Sequence, residues 1–219
     1  MDKCYKEEQV DLFHHPARML VAGFSNSGKS ELVARLVDKY HFKFSHIFVC
    51  GTTKHPLQKV SSIKNKLYLH SKIIDPLNEI EEGEEATILF ILDDIFLEAV
   101  ESRIVADAFI KGRHHNMSVI LITQNLYFQG KFARTISLNC THYLLLRMRD
   151  LNQIECLSRQ IHGSGVSKKF IEVYKTVVLQ KPYGYLLVDL SINTHEDLHL
   201  RSLIAGEASC EVVYLKWKE

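Results

Sequence analysis

The chain has 219 residues, a length that suits one α/β domain with a full core and leaves little room for a second. Hydrophobic residues at 46% and charged residues at 24% give the composition of an ordinary globular protein. A formal net charge of only +1 excludes a basic field over the whole molecule, so any contact with nucleic acid has to come from a local patch.

Along the chain, short apolar runs alternate with helical patterns, the signature of a largely parallel sheet covered by helices. Arg18 to Ala22 (RMLVA) predicts a buried strand leading straight into Gly23-Phe-Ser-Asn-Ser-Gly-Lys-Ser30. This octapeptide matches the phosphate-binding loop pattern G-x-x-x-x-G-K-[ST] in full. Gly23 and Gly28 let the backbone N–H groups of the loop, with Ser25, Asn26 and Ser27 between them, curl around a β-phosphate. The helix that follows adds its positive dipole end. In such a loop Lys29 reaches the β- and γ-phosphates, and the Ser30 hydroxyl binds Mg2+. A flexible surface turn is the plain alternative, but the strand before and the helix after are what a phosphate loop requires.

Glu31 to Tyr40 predicts that helix, with Leu32, Val33, Leu36 and Val37 on one face. Ser45 to Cys50 predicts a second strand, ended by Gly51. Residues 52–86 form the least regular stretch. Lys54, Lys59, Lys64, Lys66 and Lys72 come before any acid, and Glu79, Glu81, Glu82, Glu84 and Glu85 follow Asp75. The acidic run reads as a solvated turn. The lysines read either as a solvated loop or as a patch that holds DNA phosphates without reading sequence.

Thr87 to Leu92 (TILFIL) is the most apolar predicted strand and ends in Asp93-Asp94. Two acids after a strand are by themselves more often a helix cap. Paired with the glycine loop they complete a hydrolytic site for ATP, in which Asp93 holds Mg2+ through water and Asp94 orients or deprotonates the attacking water. A helix follows, with Phe96, Val100, Ile104, Val105, Ala108 and Phe109 at helical spacing. Ser118 to Thr123 predicts a fourth strand capped by Gln124. A polar side chain at that strand end either points at the γ-phosphate or bonds within a turn. Tyr143 to Arg147 predicts a fifth strand, Asp150 to Ile161 and Ser167 to Val178 two helices, and Tyr183 to Leu190 and Glu211 to Trp217 late strands. The expectation is a single P-loop ATPase domain over residues 1–219, with 1–12 as a short arm.

Several function classes drop out. Cys4, Cys50, Cys140, Cys156 and Cys210 form no CxxC pair, which argues against structural zinc and a disulfide framework and fits a reducing compartment. The twelve histidines, His14-His15 and His114-His115 included, match no metal-binding spacing. A guanine-reading Asn-Lys-x-Asp element is missing: Thr53-Lys54-His55-Pro56 and Asn65-Lys66-Leu67-Tyr68 both lack the acid. The start is too charged for a signal peptide, and no apolar run approaches the roughly 20 residues that span a bilayer.

The most specific stretches are Gly112-Arg-His-His-Asn-Met-Ser-Val-Ile-Leu-Ile-Thr-Gln-Asn125, Gly130-Lys-Phe-Ala-Arg-Thr-Ile-Ser-Leu-Asn139 and Lys181-Pro-Tyr-Gly-Tyr-Leu-Leu-Val-Asp189. Together with the phosphate loop and Asp93-Asp94, they resemble the FtsK–HerA superfamily of hexameric DNA-pumping ATPases. The closer likeness is to its viral genome-packaging branch, found in poxvirus-like large DNA viruses and in Polinton/Maverick and adintovirus elements, and it runs from about Phe13 to Tyr214. The resemblance implies a RecA-like (ASCE) core in which the strand ending at Gln124 separates the phosphate-loop strand from the Asp93 strand. It implies that Gln124 is the sensor glutamine and that identical subunits form a hexameric or pentameric ring. It implies double-stranded DNA and a capsid vertex or portal protein as partners; the lack of a long apolar run adds the expectation of no membrane. The expected location is inside the host cell, in nucleus or cytoplasm, and in the virion.

In such rings an arginine from one subunit reaches the γ-phosphate held by its neighbour. Arg113, just before the fourth strand, and Arg134, in the loop after it, both fit, and Arg134 is favoured because the loop beyond Gln124 can lie at a subunit edge. The chain departs from much of the superfamily in carrying Asp-Asp where Asp-Glu is usual, which shortens the base by one CH2. The competing readings are a nucleoside or nucleotide kinase, for which no arginine-rich lid is present, and a nucleotide-dependent binding switch.

Overall fold

The computed structural model describes residues 2–6, 14–51, 54–162, 167–179, 181–195, 198–202 and 210–214. In chain order these build β1 (Asp2–Lys6), β2 (Arg18–Ala22), α1 (Lys29–Tyr40), β3 (His46–Cys50), β4 (Leu67–His70) and β5 (Ile88–Leu92). Then come α2 (Phe96–Glu101), α3 (Arg103–Lys111), β6 (Met117–Thr123), α4 (Ala133–Asn139), β7 (His142–Leu145) and α5 (Leu151–His162). The last elements are α6 (Ser167–Tyr174), β8 (Leu186–Asp189), β9 (Leu200–Ser202) and β10 (Cys210–Tyr214).

The strands lie in one sheet in the order β1-β10-β9-β8-β7-β2-β6-β5-β3-β4. From β7 to β4 all neighbours are parallel; from β7 outward to β1 they are antiparallel. The β6 strand, which ends one residue before Gln124, runs between the phosphate-loop strand β2 and the Asp93 strand β5. That interposed strand is the RecA-like arrangement of P-loop NTPases, with a mostly parallel sheet flanked by helices.

The sequence explains the layering. The five residues of β5 and the seven of β6 are buried throughout, so neither strand alternates, as expected where helices cover both faces. On one face Leu20, Phe48, Phe90, Leu92, Leu121 and Leu145 pack under α3, α5 and α6 through Phe109, Leu157 and Phe170. On the other, Val21, Val49, Ile91, Ile122 and Leu144 pack under α1 through Leu32, Val33, Leu36 and Val37. Each fully buried Leu, Ile or Phe contributes about 1.5–3 kcal/mol relative to an exposed one, so this two-sided core dominates the stability.

Four expectations change. The helical run from Phe96 to Phe109 is two helices, because Ser102 takes an extended backbone and its side chain accepts the Val105 N–H at 3.4 Å, capping α3. The irregular 52–86 stretch contains the edge strand β4, parallel to β3. The helix predicted through Val178 leaves the α-conformation after Tyr174 and closes with a π turn at Lys175–Leu179. Of the predicted amino-terminal arm, residues 2–6 pair with β10 as an antiparallel strand, while 7–12 lie outside the described residues. Positions 215–217 of the last predicted strand also lie outside them. Among the described residues, no helix is long and apolar enough to cross a membrane.

Candidate active site

All the parallel strands deliver their carboxyl ends to the same edge, and the sequence motifs sit there. Residues 23–28 fold as a tight loop between β2 and α1. The Gly23 N–H bonds to the Thr123 carbonyl at 3.3 Å and the Phe24 N–H to the Arg147 carbonyl at 3.0 Å, anchoring the loop to the ends of β6 and β7. Within it the Ser27 N–H returns to the Phe24 carbonyl at 3.2 Å. Asn26 (φ 62) and Gly28 (φ 89) both take the left-handed conformation, which asparagine tolerates and glycine adopts without strain. Gly28 has a second reason to lack a side chain: a Cβ there would stand 3.0 Å from the ring of Tyr183. Ser25 and Asn26 are exposed while Ser27 is buried. The first turn of α1 begins at Lys29, with free amide groups directed at the loop.

Lys29 Nζ donates to the Gly23 carbonyl at 2.8 Å and the Phe24 carbonyl at 3.0 Å, so the ammonium lies across the loop that carries it. Burial pushes Lys29 below its ordinary value, and the negative charges of Asp93 and Asp94 offset part of that. The Ser30 hydroxyl donates to Asp93 Oδ2 at 2.5 Å. This contact joins the two halves of the motif, from α1 and from the end of β5. Burial by itself would raise the Asp93 carboxyl. The adjacent His55 side chain, the Ser30 hydroxyl and the Asp94 amide outweigh burial, so Asp93 sits below the usual carboxylate range and stays ionised.

The turn that presents Asp93 depends on Gly51. Asp93 N–H bonds to the Cys50 carbonyl at 3.0 Å, which draws the turn against β3. A Cβ at position 51 would lie 2.0 Å from the Asp93 carbonyl oxygen, so only glycine fits. Asp94 follows in the left-handed region (φ 56) and is exposed, which turns it away from Asp93. Asp94 lines a cavity of about 740 Å3 together with Ser25, Asn26, Lys29, Ser30, Asp93 and Gln124. The structure thus brings together the predicted loop, metal-binding and hydrolytic residues of the chain.

Arg113 and Arg134 stand apart. Arg113 lies on the Gly112–His115 turn at the amino end of β6, the opposite strand end from the loop, and Arg134 lies in the first turn of α4. Both are exposed and neither lines the cavity.

Sequence reasoning missed four residues at or beside the site. Glu98 lines the cavity four residues after Asp94, on α2. Tyr183, 74% exposed and at φ 55, lies against Gly28. Arg149 places its guanidinium 5.8 Å from the Phe24 ring centroid and lines a neighbouring cavity with Gln124. His55, buried, puts Nε2 3.3 Å from Asp93 Oδ2. Glu98 alone had a readable signal, its spacing from Asp94. Of the lysines read as a DNA patch, Lys54, Lys59, Lys64 and Lys72 are exposed. Lys66 instead donates to the His41 carbonyl at 2.5 Å and the Phe44 carbonyl at 2.7 Å, closing the chain after α1.

Comparison with known proteins gives relatives in sequence and in fold. The chain is 22% identical over 192 residues to the DNA packaging protein OPG160 of Variola virus, covering 80% of this chain and 70% of that protein. The same figures hold for the DNA packaging protein OPG160 of Vaccinia virus (strain Western Reserve). Among solved structures, the genome packaging NTPase B204 from Sulfolobus turreted icosahedral virus 2, in complex with ATP-gammaS, shares the fold. Its TM-score is 0.56 at 20% identity, over 83% of this chain and 96% of that one. The family model described as Poxvirus A32 protein matches residues 5–200, nearly the whole chain, and the protein therefore belongs to that family.

Proposed function

We propose that this chain is an ATPase that drives double-stranded DNA into a viral or transposon capsid, working as a ring of identical subunits of the FtsK–HerA type. One observation carries the reading: the Ser30 hydroxyl and the Asp93 carboxylate meet at 2.5 Å at the wall of a cavity that also holds Lys29, Asp94 and Gln124. The family supports the coupling to DNA, since its relatives are named DNA packaging proteins.

The donor set suits a hard divalent cation. The Ser30 hydroxyl and the ionised Asp93 carboxylate are oxygen donors from separate elements, already adjacent. When bound there, Mg2+ supplies charge neutralisation at the phosphate oxygens. The remaining work falls to the chain. The loop amides and the α1 amino end grip the β-phosphate. Lys29 leaves the Gly23 and Phe24 carbonyls for the β- and γ-phosphates, a stronger charge-assisted contact. A water oxygen attacks the γ-phosphorus, the bond to the bridging oxygen breaks, and ADP leaves. Asp94 accepts the proton of that water, and Gln124 orients it from the end of β6. Arg134 of a neighbouring subunit completes the charge stabilisation, so turnover depends on assembly. The exposed lysines of 54–72 hold the duplex through its phosphates. The work takes place inside the cell that carries the viral or transposon genome, beside a capsid vertex.

The test is ATP-dependent displacement of a triplex-forming strand from duplex DNA. Displacement by the native protein and none by Lys29→Ala supports a translocase. Equal displacement by both, or none by either under conditions of measurable ATP hydrolysis, contradicts it.

A further inference from the structure

We propose that His55 is a positioning residue for Asp93, the donor that keeps the carboxylate aimed when Ser30 turns away from it to bind metal. The inference rests on Ser30 and Asp93 being the metal-binding pair. His55 comes from the segment between β3 and β4, whose sequence signal was its lysines. It opens the Pro56–Lys59 turn, where His55 Nδ1 accepts the Leu57 N–H at 3.2 Å. A nitrogen that accepts a hydrogen bond cannot also donate one, so the ring N–H faces the other way, on Nε2.

That nitrogen lies 3.3 Å from Asp93 Oδ2, with the two side chains 0% and 4% exposed. The contact is short of hydrogen-bond alignment, and Nε2 has no other partner among the described residues. A buried N–H left unsatisfied is costly, and a phenyl ring would fill the same space without that cost. The arrangement makes sense as a bond waiting to be completed. Ser30 Oγ and His55 Nε2 face the same oxygen, Oδ2, and Ser30 holds it at 2.5 Å. Once the hydroxyl rotates towards a cation, the carboxylate loses that donor. The imidazole is then the fixed group that can take its place, because the Leu57 amide clamps its other nitrogen. Partners of this kind orient metal-binding carboxylates and raise metal affinity without touching the ion.

The test compares the native protein with His55→Phe, which keeps the shape and loses the donor, and His55→Gln, which keeps a donor at similar reach. Affinity for a non-hydrolysable ATP analogue is measured calorimetrically with and without Mg2+, so no turnover enters the readout. His55→Phe should lose about tenfold or more of the Mg2+-dependent gain in affinity, with Mg2+-free affinity kept, and His55→Gln should restore most of it. If His55→Phe does not fold, His55→Asn must show the same loss, since its amide is shorter. A native-like Mg2+ gain in the donor-less variant overturns the proposal, as does an equal loss of affinity with and without Mg2+. A native protein that binds nucleotide with no Mg2+ gain overturns the metal-pair reading as well, and so is told apart from failure of His55 alone.

Discussion

At the residue scale, the proposed roles divide between groups that bind nucleotide and metal and one group that reacts. Asp93 is buried and held ionised by hydrogen bonding, to which the Asp94 backbone amide contributes, whereas the Asp94 side chain is exposed and lines the cavity. The proposed role of Asp94 as hydrolytic base rests on its place on the cavity wall, where it would have to reach an attacking water. Asp94→Asn should therefore lower kcat on the order of 100- to 10,000-fold while nucleotide affinity stays within about threefold, measured by phosphate release and by calorimetry. Equal loss in both would move Asp94 into the binding shell and leave Glu98, four residues on, as the base. Gly28→Ala is predicted to fail for a different reason. Its φ of 89 is left-handed and its Cβ would meet Tyr183 at 3.0 Å, so thermal denaturation should show a loss of about 1–2 kcal/mol together with weaker nucleotide binding.

At the element scale, the antiparallel half of the sheet is fastened by one buried carboxylate. Asp189, at the end of β8, accepts from Arg201 Nη2 of β9 at 2.5 Å, from Thr194 Oγ1 at 2.9 Å and from the Ser191 N–H at 2.9 Å. His142 Nε2 of β7 stands 3.3 Å away. Burial would raise this carboxyl, but His142, the Ser191 amide and Arg201 together hold it well below the usual range. A depressed folded-state pKa stabilises the protein above the ordinary value of 3.8, and that stabilisation is lost as pH falls below it. Acid titration followed by circular dichroism should thus show stability falling below about pH 4, with the fall much reduced in Asp189→Ala. That variant should also cost about 3–5 kcal/mol at neutral pH, because Arg201 then lies buried without its carboxylate. Lys66 makes a contrasting case. Lys66→Met should cost about 1 kcal/mol of stability and leave the salt dependence of DNA binding unchanged, whereas Lys64→Glu should weaken DNA binding without affecting stability.

What the sequence made legible follows from how each element is stabilised. The strands β2, β3, β5 and β6 carry their burial in continuous apolar runs, so their positions could be read to within a residue. The short edge strand β4, LYLH with an exposed Tyr68, has no such pattern and exists because β3 offers it a partner. The break at Ser102 lies inside the polar triplet Glu101-Ser102-Arg103, which an exposed stretch of one continuous helix would carry equally well, so the helical spacing on either side hid it. Of the candidate site, the Gly23 to Ser30 loop and Asp93-Asp94 were legible as local motifs at strand ends, and the structure brings them to one edge of the sheet. His55 was not, since its contact with Asp93 spans the β3–β5 pairing and no local spacing encodes it.

At the scale of the whole molecule, the active centre of one subunit is incomplete if the arginine comes from the next. Arg113 and Arg134 both lie on the surface outside the cavity, Arg113 at the far end of β6 and Arg134 on α4. Arg134→Ala should bind nucleotide normally and hydrolyse it poorly. Mixing Arg134→Ala with Asp94→Asn protein should restore part of the activity, because some interfaces then pair an intact arginine with an intact base; no restoration would turn attention to Arg113 or to an arginine acting within its own subunit. A net charge of +1 further implies that duplex DNA is held by a local surface, so its binding should weaken steeply with salt. The most direct measurement of the central claim is the rate of phosphate release from ATP with and without duplex DNA, taken alongside the mass of the assembly in solution. A ring-sized assembly whose hydrolysis rises with duplex DNA and disappears in Asp94→Asn is the predicted result. Hydrolysis indifferent to DNA, or transfer of the γ-phosphate to a nucleoside instead of water, would contradict it.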